Sequence, residues 1–157
     1  MTTQIPAQND FVKMRAAGRL AAETLDHVTP FVQPGVTTEK LDAICHQFIV
    51  DNGGTAACLG YRGFPKTVCT SVNHVVCHGI PSPKKLQTRD IINIDVTVEL
   101  NGWHGDTSRM FYVGQPSIKA KKLVEVTYEC MMLGIEAVKP GARLGDIGYA
   151  IQYHAEK

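Results

Sequence analysis

From Phe11 onward, apolar residues recur at alternating spacings of three and four. Phe11, Met14, Gly18, Ala21, Leu25 and Val28 fall on one helical face, with Asp10 placed as a cap and Pro34-Gly35 closing the segment. A second helix is expected from near Thr37, burying Leu41, Ile44, Cys45, Phe48 and Ile49 and stopping at the Asp-Asn-Gly-Gly run at 51–54. Strand-like and loop stretches follow from Thr55 to Ile80, and Pro81-Ser82-Pro83 marks a loop. A third helix is predicted over roughly Ser117 to Val138, closed by Pro140-Gly141, and a fourth from about Leu144 to the end.

The stretch Asn93–Phe111, NIDVTVELNGWHGDTSRMF, changes the period from helical to two. Asn101-Gly102 between two alternating runs is a strong hairpin signal, because a type I′ turn needs positive φ at both central residues. If the loop is those two residues, Leu100 pairs with Trp103, Asp95 faces Ser108 and Asp106 faces Thr97. Asp95, Thr97, Asp106 and Ser108 then share one face, while Ile92, Ile94, Val96, Val98 and Leu100 line the other. The two aspartates become diagonal neighbours, roughly 7–8 Å apart at the backbone. Arg109 falls on the apolar face opposite Ile94, and a bulge near Gly105 is the expected relief.

Two carboxylates converging on one face repel, and burial makes that worse. A shared proton, a basic partner or bound cations would compensate, and each implies different chemistry. A divalent metal pair suggests hydrolysis, an arginine suggests plain structure, and an open, solvated sheet face would need no partner at all.

The helices also suggest a duplication. VQPGVTTEKLDAI (32–44) follows the first long helix and VKPGARLGDIGYAI (138–151) follows the third. Helix, Pro-Gly, helix, sheet, helix, Pro-Gly, helix reads as a first repeat of about 10–114 and the start of a second at about 117–157. A second hairpin-bearing sheet would then follow Lys157.

Composition narrows the class. The chain has 157 residues, 44% hydrophobic and 20% charged, enough for one domain with a real core. Its formal net charge of +1 and lack of a basic stripe argue against nucleic acid as a partner. No apolar run approaches membrane-spanning length, and the polar opening MTTQIPAQND is unlike a signal peptide. Cysteines at 45, 58, 69, 77 and 130 form no Cys-x-x-Cys pair, which fits free thiols, mostly small core residues, in a reducing cytoplasm. A cytoplasmic α/β chain is expected.

ACLGYRGFPKTVCTSVNHVVCHGIP (57–81) and NIDVTVELNGWHGDTSRMFYVG (93–114) together resemble the type I methionine aminopeptidases, over about Phe11 to Tyr153. The resemblance implies an α/β (α+β) pita-bread fold of the creatinase/aminopeptidase type, first half plus the opening helices of the second. The related proline dipeptidases share that fold and a two-metal site, but are not expected to match the Cys-Leu-Gly-Tyr segment. Asp95 and Asp106 match the family's first two metal-binding carboxylates, with Asp106 resembling the bridging one. The implied cofactors are two divalent metal ions, of manganese, iron, cobalt or zinc type. His78 in the Cys-His-Gly motif matches the family histidine that contacts the substrate and helps stabilise the reacting amide. Cys58, Tyr61, Phe64 and Cys69 match residues lining the pocket for the methionine side chain, for which polarizable sulfur and aromatic rings are apt walls.

By the same resemblance the substrate is the N-terminal methionine of nascent polypeptides, with association with the ribosome. His104 reads as a neighbour of the site, and His27, His46, His74 and His154 as surface or packing residues. His154 with Glu156 suggests an extra metal pair, but lies where the family places no ligand.

Two departures stand out. Arg62 occupies the place of the histidine that many bacterial relatives carry, putting a permanent charge near the site entrance. The family's remaining ligands, a histidine and two glutamates, and its second substrate-contacting histidine have no motif before Lys157. The expected function is metal-dependent removal of initiator methionine, with these 157 residues alone incomplete. The alternatives are a non-catalytic binding module of the same fold and an inactive truncated product.

Overall fold

The structure is a computed structural model and describes residues 7–157. The opening stretch read as unlike a signal peptide lies, over 1–6, outside the described residues. The chain forms two units, one ending at Gln115 and one over Pro116–Lys157.

In the first unit, α1 (Gln8–Val28) leads through a 3-10 turn into α2 (Thr38–Asp51). Four strands follow: β1 (Thr55–Ala56), β2 (Cys69–Val72), β3 (Ile91–Leu100) and β4 (Trp103–Tyr112). β3 is central, pairing antiparallel with β1 and β2 along one edge and with β4 along the other. The Asn-Gly turn forms as expected, with φ of 53° at Asn101 and 83° at Gly102. It fixes the register, and Asp95 stands opposite Ser108 and Thr97 opposite Asp106.

The apolar face of β3 carries the core. Ile92, Ile94, Val96 and Val98 are all 0% exposed and pack with Leu25, Val28, Leu41 and Ile49 of the two helices. α2 starts on Thr37, whose side chain accepts from the Lys40 amide, and ends where Asn52 and two glycines follow.

Three details differ from expectation. The β3–β4 pairing is continuous, with Gly105 directly opposite Val98 and no bulge. Arg109 keeps its place opposite Ile94 by extending to Asp26 on α1, 2.8 Å away. α1 is capped at Ala7, and Asp10 serves from the third helical position by accepting the Ala7 amide at 2.9 Å. Phe11 and Met14 continue the apolar stripe but are exposed, because the buried part of α1 begins only at Ala17.

The second unit pairs α3 (Ile118–Glu136), capped by Ser117, with α4 (Leu144–Ala155). The two helices meet at Gly134, where an added Cβ would lie 3.0 Å from Ile151. Among the described residues, no helix is long and apolar enough to cross a membrane.

Candidate active site

The polar face of the sheet, away from the helices, carries the residues singled out by sequence. Cys69 is opposite Asp95 on one side of β3, and Ser108 is opposite it on the other. Two residues along, on the same face, Thr97 is opposite Asp106, and His104 follows on that face of β4. Above them lies a cavity of about 750 Å³, lined by Cys58, Tyr61, Phe64, Cys69, His78, Asp95 and Asp106. That volume falls in the range of small-ligand pockets, roughly 300–1,000 Å³. Arg62, Thr97 and His104 also reach it, as do Pro65 and Ile80, which carried no signal of their own in the sequence.

The carboxylates interact but are not sealed in. Asp95 is half-buried and Asp106 is exposed, so the pair is open to water on one side. Asp95 is nevertheless held above the usual carboxylate range, first by burial and then by the charge of Asp106. The electrostatic effect of His78 pulls the other way, and the side-chain contact with Asp106 adds a further upward push. Proximity of like charge in a partly dry site favours either a proton or a cation between them. Burial, with lesser effects of Cys58 and Asp95, pushes the Cys69 thiol up to about 12, leaving a neutral sulfur as pocket wall.

Each loop residue is positioned by a specific backbone device. His78 sits at φ 54°, a left-handed conformation that costs a non-glycine residue about 1–3 kcal/mol unless its surroundings hold it. The holding is done by Gly79, whose carbonyl accepts the Thr70 amide at 2.7 Å and whose amide donates to Ser71 Oγ at 3.2 Å. A Cβ there would lie 2.1 Å from the Thr70 carbonyl oxygen, so only glycine allows this approach. Tyr61–Gly63 form a short turn after left-handed Gly60 in which Arg62 and Gly63 are also left-handed, at φ 48° and 83°, with the Arg62 guanidinium 5.5 Å from the Tyr61 ring centre.

α2 grips the segment between Phe64 and Cys69. Asp42 Oδ1 accepts the amides of Thr67 and Val68 at 2.8 and 3.0 Å, and His46 Nδ1 lies 2.9 Å from Thr67 Oγ1. Sequence reading passed over Asp42. The available signal was a carboxylate on the same helical face as Cys45 and Ile49.

With the carboxylate pair, the histidine loop and the apolar wall in one cavity, comparison with known proteins is decisive. Residues 12–157 match metallopeptidase family M24. The chain belongs to this family. It is 62% identical to the methionine aminopeptidase of Rickettsia prowazekii over 157 residues, which is 100% of this chain and 61% of that protein. The crystal structure of the R. prowazekii enzyme matches with a TM-score of 0.97 at 61% identity, over 99% of this chain and 62% of the other. An Xaa-Pro dipeptidase from Bacillus anthracis shares the fold at a TM-score of 0.86 and 20% identity, over 97% of this chain and 41% of its own. The M24 chain thus has the pita-bread fold expected from its motifs, and spans less than two thirds of the length of these relatives.

M24 membership implies a divalent metal, and the Asp95–Asp106 pair fits one in kind: hard oxygen donors whose mutual repulsion a cation would relieve. Among the described residues, no group of three or more His, Cys, Asp or Glu side chains is placed to hold an ion together. Two carboxylates alone are fewer ligands than a divalent ion takes.

His27, His46 and His154 of this M24 chain have structural partners. His27 stacks on Phe48 with ring centres 4.4 Å apart, and His154 meets Glu129 at 2.7 Å, not Glu156. All five cysteines are free; Cys45, Cys69 and Cys130 are buried, and Cys77 is exposed.

Proposed function

We propose that the protein removes the N-terminal methionine from newly made polypeptides by metal-dependent hydrolysis. The observation that carries this reading is the placement of Asp95 and Asp106 in one cavity with His78 and the sulfur-and-aromatic wall of Cys58, Tyr61, Phe64 and Cys69. Asp95 and Asp106 would be among the ligands that hold the two divalent ions. Such ions supply Lewis-acid polarisation of a scissile carbonyl and activation of water at neutral pH. His78, fixed by the docking of Gly79 on β2, donates a hydrogen bond to the reacting amide. The wall receives the thioether, whose polarizable sulfur packs against aromatic edges and cysteine sulfur.

The domain reading belongs to the same proposal. The two Pro-Gly turns have equivalent conformations, with φ of 87° at Gly35 and 86° at Gly141. This supports a first repeat of about 10–114 and a second opening at about 117–157. The rest of the coordination shell would come from sequence of the kind the relatives carry outside the matched span. Work on nascent chains beside the ribosome in the cytoplasm follows from the substrate.

The test uses the full-length protein, stripped with a chelator and supplied in turn with Mn²⁺, Fe²⁺, Co²⁺ and Zn²⁺. Release of free methionine from a Met-Ala-Ser peptide is expected, and is lost again on chelation. Metal-independent release, or none with any ion, contradicts the proposal.

A further inference from the structure

Deepening the function proposed above and resting on it, we propose that Asp42 is a positioning residue for the methionine pocket. Its carboxylate fixes the distance between Phe64 and Cys69 and so sets how well the methionine side chain fits. Asp42 is 8% exposed and stands on α2, which is locked in the core by Leu41, Cys45 and Ile49, each 0% exposed. One oxygen, Oδ1, takes both the Thr67 and Val68 amides. Residues 64–68 form no helix or strand, so these amides lack ladder partners and the carboxylate supplies what secondary structure does elsewhere.

The tether reaches the pocket at both ends. On one side Val68 is followed directly by Cys69, the first residue of β2 and a pocket wall. On the other, Pro65 has a fixed φ and restricts the preceding Phe64 to extended backbone, as observed at φ −65° and ψ 124°. The link from Thr67 back to Phe64 is therefore stiff, and a shift of the two amides moves the Phe64 ring. The accompanying Lys66–Glu39 pair is open to solvent and contributes little to this hold.

Steady-state kinetics of the full-length protein with a Met-Ala-Ser peptide tests the proposal, with KM and kcat measured separately beside thermal melting. Asp42→Ala is expected to raise KM about tenfold with kcat within about twofold, since side-chain contacts remote from the reacting bond contribute equally to ground-state and transition-state binding. Asp42→Asn keeps an Oδ1 for both amides and should stay within about twofold of the parent in KM. A merely structural role lowers melting temperature and active fraction, hence apparent kcat, but leaves KM alone. Unchanged KM in folded Asp42→Ala, or an Asn variant as impaired as the Ala variant, overturns the proposal. If Asp42→Ala does not fold, Asp42→Glu decides. It keeps charge and acceptors but displaces the tether by one methylene, so a raised KM supports the proposal and an unchanged KM overturns it. A parent protein that releases no methionine removes the proposed function and this inference together. An active parent with indifferent variants removes the inference alone.

Discussion

Gly105 of β4 lies against the backbone of Ala17 on α1 so closely that an added Cβ would sit 2.2 Å from the Ala17 carbonyl oxygen and 2.5 Å from the Gly18 nitrogen. The neighbours are main chain on a buried helix, which cannot rotate aside as a side chain would. This contact sets how near α1 approaches the sheet one residue away from Asp106.

Gly105→Ala should therefore force helix and strand apart and lower stability by about 1–3 kcal/mol, the usual cost of overpacking. Gly148→Ala is the control. Nothing lies within 4 Å of a Cβ at that helical position, so it should be neutral or stabilising by up to about 1 kcal/mol. Urea unfolding of the two variants checks both signs. Equal effects would show that the close approach at Gly105 is not a constraint.

Cys45 offers a pH dependence. Burial, followed by the charge of Asp42, pushes its thiol from the ordinary value near 9 up to about 12. The folded state thus prefers the neutral thiol more than the unfolded chain does. Its contribution is fully present below the unfolded thiol pKa and is lost as pH rises through about 12. Comparing urea unfolding of the parent and Cys45→Ala at pH 8 and pH 11 cancels the other alkaline groups. The parent should lose a few kcal/mol more than the variant over that interval, on the order of 1.4 per pKa unit traversed. Parallel losses would mean that Cys45 is not the group responsible. At pH 8, a thiol reagent should label exposed Cys77 before Cys45.

The hairpin was legible because Asn101-Gly102 admits few turn geometries, and one turn fixes every partner from Ile91 to Tyr112. The face shared by Asp95 and Asp106 followed from that alone. The helices were legible in type and extent. Their edges were less so, because the spacing of Phe11 and Met14 does not reveal where the sheet beneath α1 stops. Arg109 looked misplaced because its partner, Asp26, is far away in sequence. The proposed pocket wall was visible only through motif resemblance, since Cys58, Tyr61, Phe64 and Cys69 otherwise read as core. Asp42 was hidden for a different reason: its partners are backbone amides, which leave no side-chain signature in sequence.

Asp106→Asn in the full-length protein should abolish metal-dependent release of methionine while leaving the fold intact. The amide keeps the shape but cannot neutralise or bridge cations. Because Asp106 is exposed and its neighbour Asp95 is raised by its charge, the substitution relieves repulsion and should not lower the melting temperature. Metal content by elemental analysis, circular dichroism and turnover read the three parts separately. Retained turnover would remove Asp106 from the site.

The pocket wall predicts a side-chain preference that can be separated from the metal chemistry. Cys58, Tyr61, Phe64 and Cys69 present sulfur, rings and a neutral thiol to the cavity, with the fixed charge of Arg62 at the neighbouring turn. Recognition by apolar contact discriminates weakly between near-isosteres, typically by about 10–200-fold per methylene, because no buried hydrogen bond is lost with the wrong side chain. Peptides beginning with norleucine should therefore be cleaved, within about tenfold of methionine in kcat/KM, since only the polarizable sulfur is missing. Those beginning with lysine or glutamate should not be cleaved at a comparable rate, because their charge would be desolvated against sulfur and rings, and the exposed Arg62 offers glutamate only a weak, screened partner. Parallel assays of the four peptides at one metal concentration decide the point. Cleavage of the lysine or glutamate peptide at the methionine rate would show that these four residues do not form the side-chain pocket, whatever the metal does.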